Sequence, residues 1–558
     1  MSLGEWVDGL SRRGRGPLFA ALLALVAGLP GALALPTLDR DEARFTEASA
    51  EMLESGDFTS ITFQGDLVSD KPVGAHWLQA VSAEALGDGE AREIFPYRAP
   101  SLLGAMLAAA ACAWGAAAFL RPSLALLAGA LLGATSLLSS EASIGTTDSL
   151  LCGLVTLTMA ALARLYLAKR DGPPAGHRTR ALFWLGLAGA VLVKGPVGPM
   201  VALLTALALV VWERRAAWLA SLGWSWGLIL FTAVVGPWAL AITVATDGGF
   251  WSAALGGDLA PKLIGGIEGH TAPPLFHTLL SPLGLFGASL LLPAALVGAW
   301  RGRAEPAIRF ALCWLVPSLL VFEIVPTKLP HYPLPLYPAI AWLMAAALRE
   351  PVGRGARIAG VVVGVAAAAA GAAACLYLAK AYGAGAASWA WAILAAALAL
   401  AATGFSARPL IEGRALRAAA IACGVGLLAH AVLFAGLLPS LRPLWSSAAT
   451  ARMLTGAGIN PAQGLAEGPV TVAGYGEPSL VFALGAGTEL GDASDAADAI
   501  SEGRPAVVEG RLEAAFDQAL ADQQLAARLV GAVAGFDYSN GQPVTLRIYE
   551  PVPDDAAP

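Results

Sequence analysis

Charged residues are scarce in this sequence. Asp, Glu, Lys and Arg make up 14% of its 558 residues, whereas a typical soluble domain contains about 25%. The residues Ala, Val, Ile, Leu, Met, Phe, Trp, Tyr and Cys make up 57%, and 63 glycines add to the apolar total. This composition excludes a soluble globular chain and predicts a protein whose surface mostly faces lipid.

Cysteine is also rare, and its placement excludes the sites that cysteines usually build. All five cysteines lie in apolar runs without CxxC spacing, which predicts small core residues rather than disulfides or metal ligands. They are Cys112, Cys152, Cys313, Cys375 and Cys423. No metal-ligand spacing is evident elsewhere, so the sequence predicts neither a metal nor another cofactor.

The charges that are present divide the chain into two domains. Residues 440–558 contain 15 acidic residues and 6 arginines, whereas residues 1–439 contain 29 basic and 26 acidic residues. This predicts a membrane domain over 1–439, followed by an acidic soluble domain over 440–558, and argues against nucleic acid as a partner. Strand-like runs PVTVAG and PAVVEG, helices over Glu477–Leu484 and Arg511–Arg528, and a hairpin at Asn540-Gly541 predict a small α/β domain.

The membrane domain contains thirteen apolar runs that are long enough, or nearly so, to cross about 30 Å of hydrocarbon. They cover residues 17–36, 97–120, 123–139, 148–168, 181–193, 196–212, 217–245, 280–300, 306–325, 332–349, 357–379, 387–405 and 415–438. The first run is open to two interpretations, a cleaved signal peptide or a retained anchor, and its length favours the anchor. The sequence therefore predicts an all-α polytopic membrane domain.

The basic residues predict the orientation of these runs. With a cytoplasmic N-terminus, nineteen Lys and Arg residues, among them Arg12, Arg13 and Arg15, fall on the inner side and nine on the outer side. The positive-inside rule favours this orientation, which puts the C-terminal domain in the periplasm. Five of the six lysines nevertheless fall outside: Lys71, Lys194, Lys262, Lys328 and Lys380. Either these lysines bind phosphate, or their side chains extend to the lipid headgroups (snorkelling). For Lys380 the sequence favours snorkelling.

Polar residues concentrate in one outer segment, residues 37–98, which holds 13 acidic and 5 basic residues. Two interfacial helices are predicted there, Asp41–Glu54 and Lys71–Leu86, with Pro72 in the first turn of the second. The first should lie flat on the membrane with Glu47, Glu51 and Glu54 on its polar face. The middles of the thirteen runs are almost free of charge, which argues against a transport pathway at the membrane midplane.

Several motifs resemble those of a known enzyme family. The runs LDRDEARFTEASAEMLESGD (38–57) and DKPVGAHWLQA (70–80) resemble the first periplasmic loop of the bacterial lipid A aminoarabinose transferases and their relatives. TTDSLL (146–151), LVKGPVG (192–198) and KLPHYPLPLYP (328–338) resemble later membrane-edge motifs of that family. Together with the protein O-mannosyltransferases, these enzymes are GT-C glycosyltransferases, which take a sugar from a polyprenyl-phosphate carrier.

The resemblance implies a GT-C fold in the bacterial inner membrane and transfer with inversion at the anomeric carbon. It implies a polyprenyl (undecaprenyl) phosphate sugar donor, membrane lipids as partners, and lipid A, another glycolipid or another periplasmic molecule as acceptor. Asp41 would be the catalytic carboxylate, with Asp148 as a second acid. The positions implied for donor binding are Glu42, Arg44, Lys71, Lys194, Lys328 and Tyr332.

Other interpretations remain open from the sequence. Asp70 and His76 stand where the family usually has Glu and Tyr, which leaves the sugar and the acceptor undefined. Asp41 and Asp148 each have the alternative of capping a helix, and Tyr332 that of an interfacial belt aromatic. For the whole chain, the alternatives are a non-catalytic lipid or polysaccharide export component and a protein O-glycosyltransferase of the same fold.

Overall fold

The computed structural model describes residues 9–11, 14–87, 92–170, 175–265 and 271–552, so the predicted inner arginines Arg12 and Arg13 lie outside the described residues. The main helices of the membrane domain are α1 Gly16–Ala34, α2 Asp41–Ser55, α3 Gly74–Leu86, α4 Ile94–Ala116, α5 Pro122–Gly133, α6 Ser136–Ala142, α7 Asp148–Ala168, α8 His177–Lys194, α9 Val197–Glu213, α10 Trp224–Ala245, α11 Phe276–Gly284, α12 Leu292–Gly302, α13 Pro306–Ile324, α14 Tyr337–Ala347, α15 Arg354–Tyr382, α16 Ala386–Ile411 and α17 Ala415–Val432. Shorter helical turns, Gly249–Ser252, Ala260–Ile264 and Leu438–Ser440, follow α10 and α17.

Each of the thirteen apolar runs forms a helix or a bent pair of helices. Within the described residues, eight helices are long and apolar enough to cross a bilayer. The count is ten if the bent pairs α5–α6 (61°) and α11–α12 (120°) are each one span. The remaining runs form α8, which carries several charges, and the shorter α9 and α14. A polytopic membrane protein is therefore confirmed, and the number of thirteen spans stays a prediction.

Small residues allow the membrane helices to pack closely. A Cβ atom on Gly104 of α4 would lie 2.6 Å from the backbone nitrogen of Leu150, and one on Gly153 of α7 would lie 2.5 Å from the carbonyl oxygen of Gly104. Lipid offers no hydrophobic driving force between helices, so close van der Waals packing at small residues has to supply the attraction. The five cysteines are free and four of them are buried, as predicted.

The segment between the first two membrane helices folds into α2, a hairpin of β1 (Thr62–Phe63) and β2 (Asp66–Leu67), and α3. Helix α3 begins at Gly74, three residues later than predicted, and Pro72 lies outside it. The first residue of α3 is closely packed: a Cβ atom on Gly74 would lie 2.8 Å from the carbonyl oxygen of Leu192. The start of α3 is therefore pressed against the end of α8, two residues before Lys194.

The acidic face of α2 is buried, contrary to the sequence prediction. Glu47 is 0% exposed and Glu51 is 6% exposed. Arg92 forms an ion pair with Glu47 at 2.5 Å, and Glu51 accepts hydrogen bonds from the Thr62 hydroxyl and the Gln64 amide. Burial raises the pKa of Glu47 to about 7. The prediction of a solvated acidic face is wrong because this face packs against the rest of the segment and the C-terminal domain; only Glu54 is exposed.

The C-terminal domain is the predicted small α/β unit. Its helices are α18 Ser446–Gly456, α19 Pro478–Leu484, α20 Ala493–Ser501 and α21 Glu513–Asp522, and its strands are β3 Thr471–Ala473, β4 Glu489–Gly491, β5 Ala506–Glu509, β6 Ala527–Asp537 and β7 Gln542–Pro551. The strand order is β4-β3-β5-β7-β6, with β3 parallel to its two neighbours and the β6–β7 hairpin antiparallel. The predicted 511–528 helix is too long, because Ala527 already pairs with Pro551 in the hairpin.

The C-terminal domain contacts the segment between α1 and α4 and the first turn of α4. The Phe482 ring meets the Tyr97 ring edge-on at 5.5 Å, and Arg92 donates to the carbonyl of Phe482 at 3.1 Å. The Asp39 carboxylate accepts a hydrogen bond from the backbone amide of Ser479 at 3.1 Å. We call the end of the helical bundle nearest to this contact the upper end; it contains the start of α7 and the end of α8.

This contact should make stability depend on pH. Burial, together with the charge of Asp537, raises the pKa of Asp39 from 3.8 to about 6. A carboxyl with a raised pKa stabilises the folded state at low pH, and this contribution is lost as pH rises from 3.8 to about 6. Asp39→Asn stays neutral and keeps an acceptor for Ser479. We therefore expect its melting temperature in detergent to exceed that of wild type at pH 7 but not at pH 4.

The matched control for this prediction is Asp66→Asn, because Asp66 is an exposed aspartate in the same segment. It should leave the melting temperature almost unchanged at both pH values. An equal shift for Asp39→Asn at pH 4 and pH 7 would show that ionisation of Asp39 is not the cause.

Candidate active site

Asp148 is the first residue of α7 and lies in a buried ion pair. The N-cap residue is Thr147, and no side chain caps this helix. The Asp148 carboxylate instead accepts a hydrogen bond from the Lys194 ammonium at 2.6 Å, with both side chains largely buried. The capping interpretation of Asp148 is therefore wrong, and two of the predicted site residues are in direct contact.

His331 extends this contact to a second carboxylate. Its Nε2 atom lies 3.7 Å from Asp148 Oδ2, and its Nδ1 atom lies 3.6 Å from Glu141 Oε1. Glu141 also accepts a hydrogen bond from the Thr146 hydroxyl at 3.3 Å. Neither His331 nor Glu141 was predicted from the sequence as a site residue, although His331 lies in the KLPHYPLPLYP motif. Glu141 gave little signal because it sits alone at the end of an apolar run.

Tyr332 completes what we call the Asp148 cluster: Glu141, Asp148, Lys194, His331 and Tyr332. The Lys194 ammonium lies over the Tyr332 ring at 5.5 Å, and the His331 and Tyr332 rings are 5.2 Å apart. An ammonium held between a carboxylate and an aromatic face is fixed in position. The cluster thus joins side chains from α6, α7, α8 and the segment before α14.

Asp41 differs from Asp148 in its surroundings. It is the first residue of α2, the N-cap position belongs to Arg40, and no side chain caps the helix. Its carboxylate is exposed and has neither a hydrogen bond nor an ion pair within the part of the chain that the structure describes. Arg44, one turn further along, lies 3.5 Å from the Asp70 carboxylate, with both side chains 44% exposed. Asp41 is therefore open to a substrate, and it does not act as a cap.

Glu42 is enclosed and lies outside the Asp148 cluster. Its two carboxylate oxygens accept hydrogen bonds from Arg98 at 2.7 and 2.8 Å. The same carboxylate accepts from the backbone amides of Gly145 and Leu38 at 2.5 and 2.8 Å. Through Gly145, Glu42 ties the start of α2 to the turn that precedes Asp148. This places Asp41 and Asp148 at the same upper end of the bundle.

Lys71 and Lys328 also lie at the upper end. Lys71 donates to the carbonyl of Asp70 at 2.8 Å, and it is near enough for its charge to act on Asp148. Lys328 is buried and donates to the carbonyls of Ala272 and Val325 at 2.9 and 2.7 Å. By contrast, Lys380 is exposed at the end of α15.

Three aromatic residues near the site, His76, Trp77 and Trp251, pack within the protein. His76 is fully buried and lies 3.0 Å from the Ser49 hydroxyl, and burial lowers its pKa to about 4. The indole N–H groups of Trp77 and Trp251 donate to the Phe58 carbonyl and the Thr243 hydroxyl. Among the described residues, no group of three or more His, Cys, Asp and Glu side chains could hold a metal ion.

Comparison with known proteins identifies relatives over part of the chain. Residues 39–251 match the family model described as dolichyl-phosphate-mannose-protein mannosyltransferase. An undecaprenyl phosphate-alpha-4-amino-4-deoxy-L-arabinose arabinosyl transferase of Pseudomonas paraeruginosa is 31% identical over 314 residues, 55% of each chain. The Yersinia enterocolitica transferase of the same name is 30% identical over 344 residues, 59% of this chain and 58% of its own. These matches span little more than half the length of the relatives.

Similarity of structure extends further. The crystal structure of ArnT from Cupriavidus metallidurans bound to undecaprenyl phosphate matches with a TM-score of 0.77 at 20% identity, and covers 100% of both chains. The apo structure of the same protein matches with a TM-score of 0.73 at 21% identity, over 97% of this chain and 98% of its own.

The helical membrane domain, the folded segment between its first two membrane helices and the small sheet domain define a polytopic membrane protein of the GT-C fold. Within that class, residues 39–251 are similar to the family described as dolichyl-phosphate-mannose-protein mannosyltransferase. The family resemblance and the fold class inferred from the motifs are thereby confirmed.

Proposed function

We propose that this chain is a glycosyltransferase that transfers a sugar from a polyprenyl phosphate, such as undecaprenyl phosphate, to lipid A or another glycolipid. The observation that carries the proposal is the pairing of an exposed carboxylate, Asp41, with fixed cationic side chains at the same end of the bundle. The names of the sequence relatives, which are undecaprenyl-phosphate-dependent arabinosyl transferases, support both the reaction type and the donor class.

In the proposed reaction, the acceptor oxygen attacks the anomeric carbon and the bond from that carbon to the donor phosphate breaks. Asp41 accepts the proton of an acceptor hydroxyl, which makes the oxygen a better nucleophile. If the acceptor is itself a phosphate, little base strength is needed and Asp41 orients it. Attack on the face opposite the leaving phosphate inverts the anomeric configuration.

The cations act on the leaving group. A phosphodiester becomes a phosphate monoester, so negative charge grows on the phosphate in the transition state, and fixed positive charges lower the barrier. Arg44, Lys71, Lys194 and Lys328 are proposed to supply these charges. Asp148 and Tyr332 hold the Lys194 ammonium, and His331 links Asp148 to Glu141, so these residues set the geometry of the cation. Glu42 contributes by fixing the turn before Asp148.

We propose that the upper end faces the periplasm and that the N-terminus is cytoplasmic, in a bacterial inner membrane. Basic residues assigned to the inner side meet at the opposite end: Arg170 and Arg309 both contact Glu213, and Arg349 contacts Glu305. This grouping fits the positive-inside rule. Nucleotide sugars are absent from the periplasm, which is why a lipid-linked donor is needed there.

Two other functions are compatible with parts of the site. An export component would bind headgroups with the same lysines but would have no use for an exposed carboxylate at Asp41. A protein O-glycosyltransferase would share the donor site and differ only in the acceptor. Turnover with a lipid-linked sugar separates the first from our proposal, and mass spectrometry of membrane glycolipids with and without the gene separates the second.

Removing the charge of Asp41 tests the catalytic step. Asp41→Asn should leave the protein folded and able to bind undecaprenyl phosphate, but slow sugar transfer by at least about 100-fold because the acceptor loses its base. The measurement is turnover of purified enzyme with a lipid-linked sugar. Asp66→Asn, on an exposed carboxylate of the same segment, is the control and should be fully active. Wild-type turnover of Asp41→Asn would remove Asp41 from the mechanism.

The lysines should differ according to their role. Lys71→Met and Lys328→Met keep the apolar stem and lose the ammonium, so each should weaken donor binding or turnover by at least about 10-fold through the loss of a charge-assisted contact. Lys380→Met, the control on an exposed lysine, should have almost no effect. If all three variants are equally mild, the phosphate-binding assignment is wrong.

Reporter fusions test the orientation. A reporter that is active only in the periplasm should work when fused after Pro558 and fail when inserted between α7 and α8. The reverse pattern would put the candidate active site on the cytoplasmic side, where a nucleotide sugar could serve as donor, and would contradict the argument for a lipid-linked one.

A further inference from the structure

Arg40, the residue before Asp41, has a strained backbone. Its φ is 64° and its ψ is −107° at the N-cap of α2. These angles are close to those of the first central residue of a type II′ turn, a position that glycine normally occupies because a Cβ atom clashes there. A residue held in such a conformation persists only when its surroundings fix it. The direction in which α2 begins, and with it the position of Asp41, depends on what holds Arg40.

The contacts that hold this turn come from the C-terminal domain. The Arg40 guanidinium donates to the carbonyl of Ser539 at 2.5 Å, and the backbone amide of Asp39 donates to the Tyr538 hydroxyl at 2.6 Å. The amide of Ser479 donates to the Asp39 carboxylate at 3.1 Å. Two of these partners lie in the β6–β7 loop and the third at the start of α19. We call this set of contacts the clamp.

Hydrogen bonds within the C-terminal domain stabilise the residues that form the clamp. The Ser539 hydroxyl donates to the Glu477 carboxylate at 2.8 Å, which joins the β6–β7 loop to the residue before α19. The Asp537 carboxylate accepts hydrogen bonds from the amides of Ser539 and Asn540 at 3.0 and 3.1 Å. Contacts within the C-terminal domain therefore hold the shape of the β6–β7 loop, which contacts Arg40.

The same arrangement occurs twice more in the segment. Within the described part of residues 37–98, three residues other than glycine have positive φ: Arg40, Gln64 and Arg92. Each donates a side-chain hydrogen bond to a backbone carbonyl of the C-terminal domain. Gln64 reaches Thr488 and Arg92 reaches Phe482. Each of these three strained residues therefore also forms a side-chain hydrogen bond to the C-terminal domain.

We propose that the C-terminal domain is a positioning device for the active site, which clamps the strained turn at Asp39 and Arg40 and so aims the Asp41 carboxylate at the substrates. This inference rests on the proposed glycosyl transfer, and it gives the soluble domain a role in that reaction. Asp39, Arg40 and Tyr538 are positioning residues, because they touch the turn and act through Asp41.

Two substitutions of one residue separate strain from lost contact. Arg40→Ala and Arg40→Gly both remove the hydrogen bond to Ser539, but only glycine adopts the native backbone angles without strain. With the clamp weakened, the alanine variant should lose kcat by about 10- to 100-fold as Asp41 is misplaced. The glycine variant should lose clearly less. The KM for the lipid-linked donor should change much less than kcat in both, because Lys71, Lys194 and Lys328, three of the four proposed donor cations, lie outside α2.

A second test removes the clamp from the side of the domain. Tyr538→Phe deletes the hydroxyl that accepts from the Asp39 amide and should lower kcat at unchanged donor KM. Tyr538→Phe should lower kcat less when Arg40→Gly is also present, because the unstrained turn depends less on the clamp. The matched control is Tyr549→Phe, whose hydroxyl meets Glu513 within the C-terminal domain at 3.3 Å. This control should behave as wild type.

Hydrogen exchange gives a readout that does not need turnover. Amides of residues 41–45 should exchange faster in Tyr538→Phe than in wild type or in Tyr549→Phe. Equal kcat for Arg40→Ala and Arg40→Gly, or a Tyr538→Phe variant that matches Tyr549→Phe in kcat and exchange, would overturn the clamp. If wild-type enzyme transfers no sugar from any lipid-linked donor, the proposed function fails, and the exchange result alone then decides whether the domain holds the turn.

Discussion

The buried ion pair of Arg98 and Glu42 is the constraint on which the upper end of this protein depends. Arg98 is 0% exposed, and its remaining N–H groups bond the carbonyls of Ala32, Leu35 and Pro36. All five guanidinium donors therefore have partners, and the Glu42 carboxylate accepts four hydrogen bonds in return. Burying such a pair is tolerable only when every group is satisfied, since an unpaired buried charge costs about 3–5 kcal/mol. One contact thus fixes α1, α2, α4 and the turn before α7 together.

This constraint explains how two acidic residues in different surroundings come to share one end of the bundle. Glu42 anchors the first turn of α2 from below through Arg98 and Gly145, and the C-terminal domain touches the preceding turn from above through Asp39 and Arg40. Asp41 lies between these two fixed points, with its own carboxylate exposed. Asp148, three residues after Gly145, is buried and paired with Lys194. Burial and pairing suit a residue that positions a cation, and exposure suits one that meets a substrate.

The sequence was sufficient where one property decided the structure. Apolar length predicted all thirteen helical runs of the membrane domain, and the Asn540-Gly541 turn predicted the hairpin of the C-terminal domain. It failed where a distant contact decided. The charges of Glu47 and Glu51 read as a solvated face, because nothing in the local pattern indicates Arg92 or the β1–β2 hairpin as partners. The 511–528 helix was too long because pairing of Ala527 with Pro551 overrides local helix propensity. His331 and Glu141 went unrecognised because their significance lies in a contact between segments about 190 residues apart.

For the role of each lysine, the contacts that its ammonium makes are stronger evidence than its position on one membrane face. Snorkelling predicts long side chains that reach toward water, and Lys380 is exposed in that way. Lys194 and Lys328 differ, since the first lies between a carboxylate and an aromatic ring and the second between two carbonyls. Side chains ordered before a ligand arrives lose little entropy on binding, and their charges need no reorganisation as a transition state forms. The lysines at these two positions therefore have a structural reason to lie at the upper end.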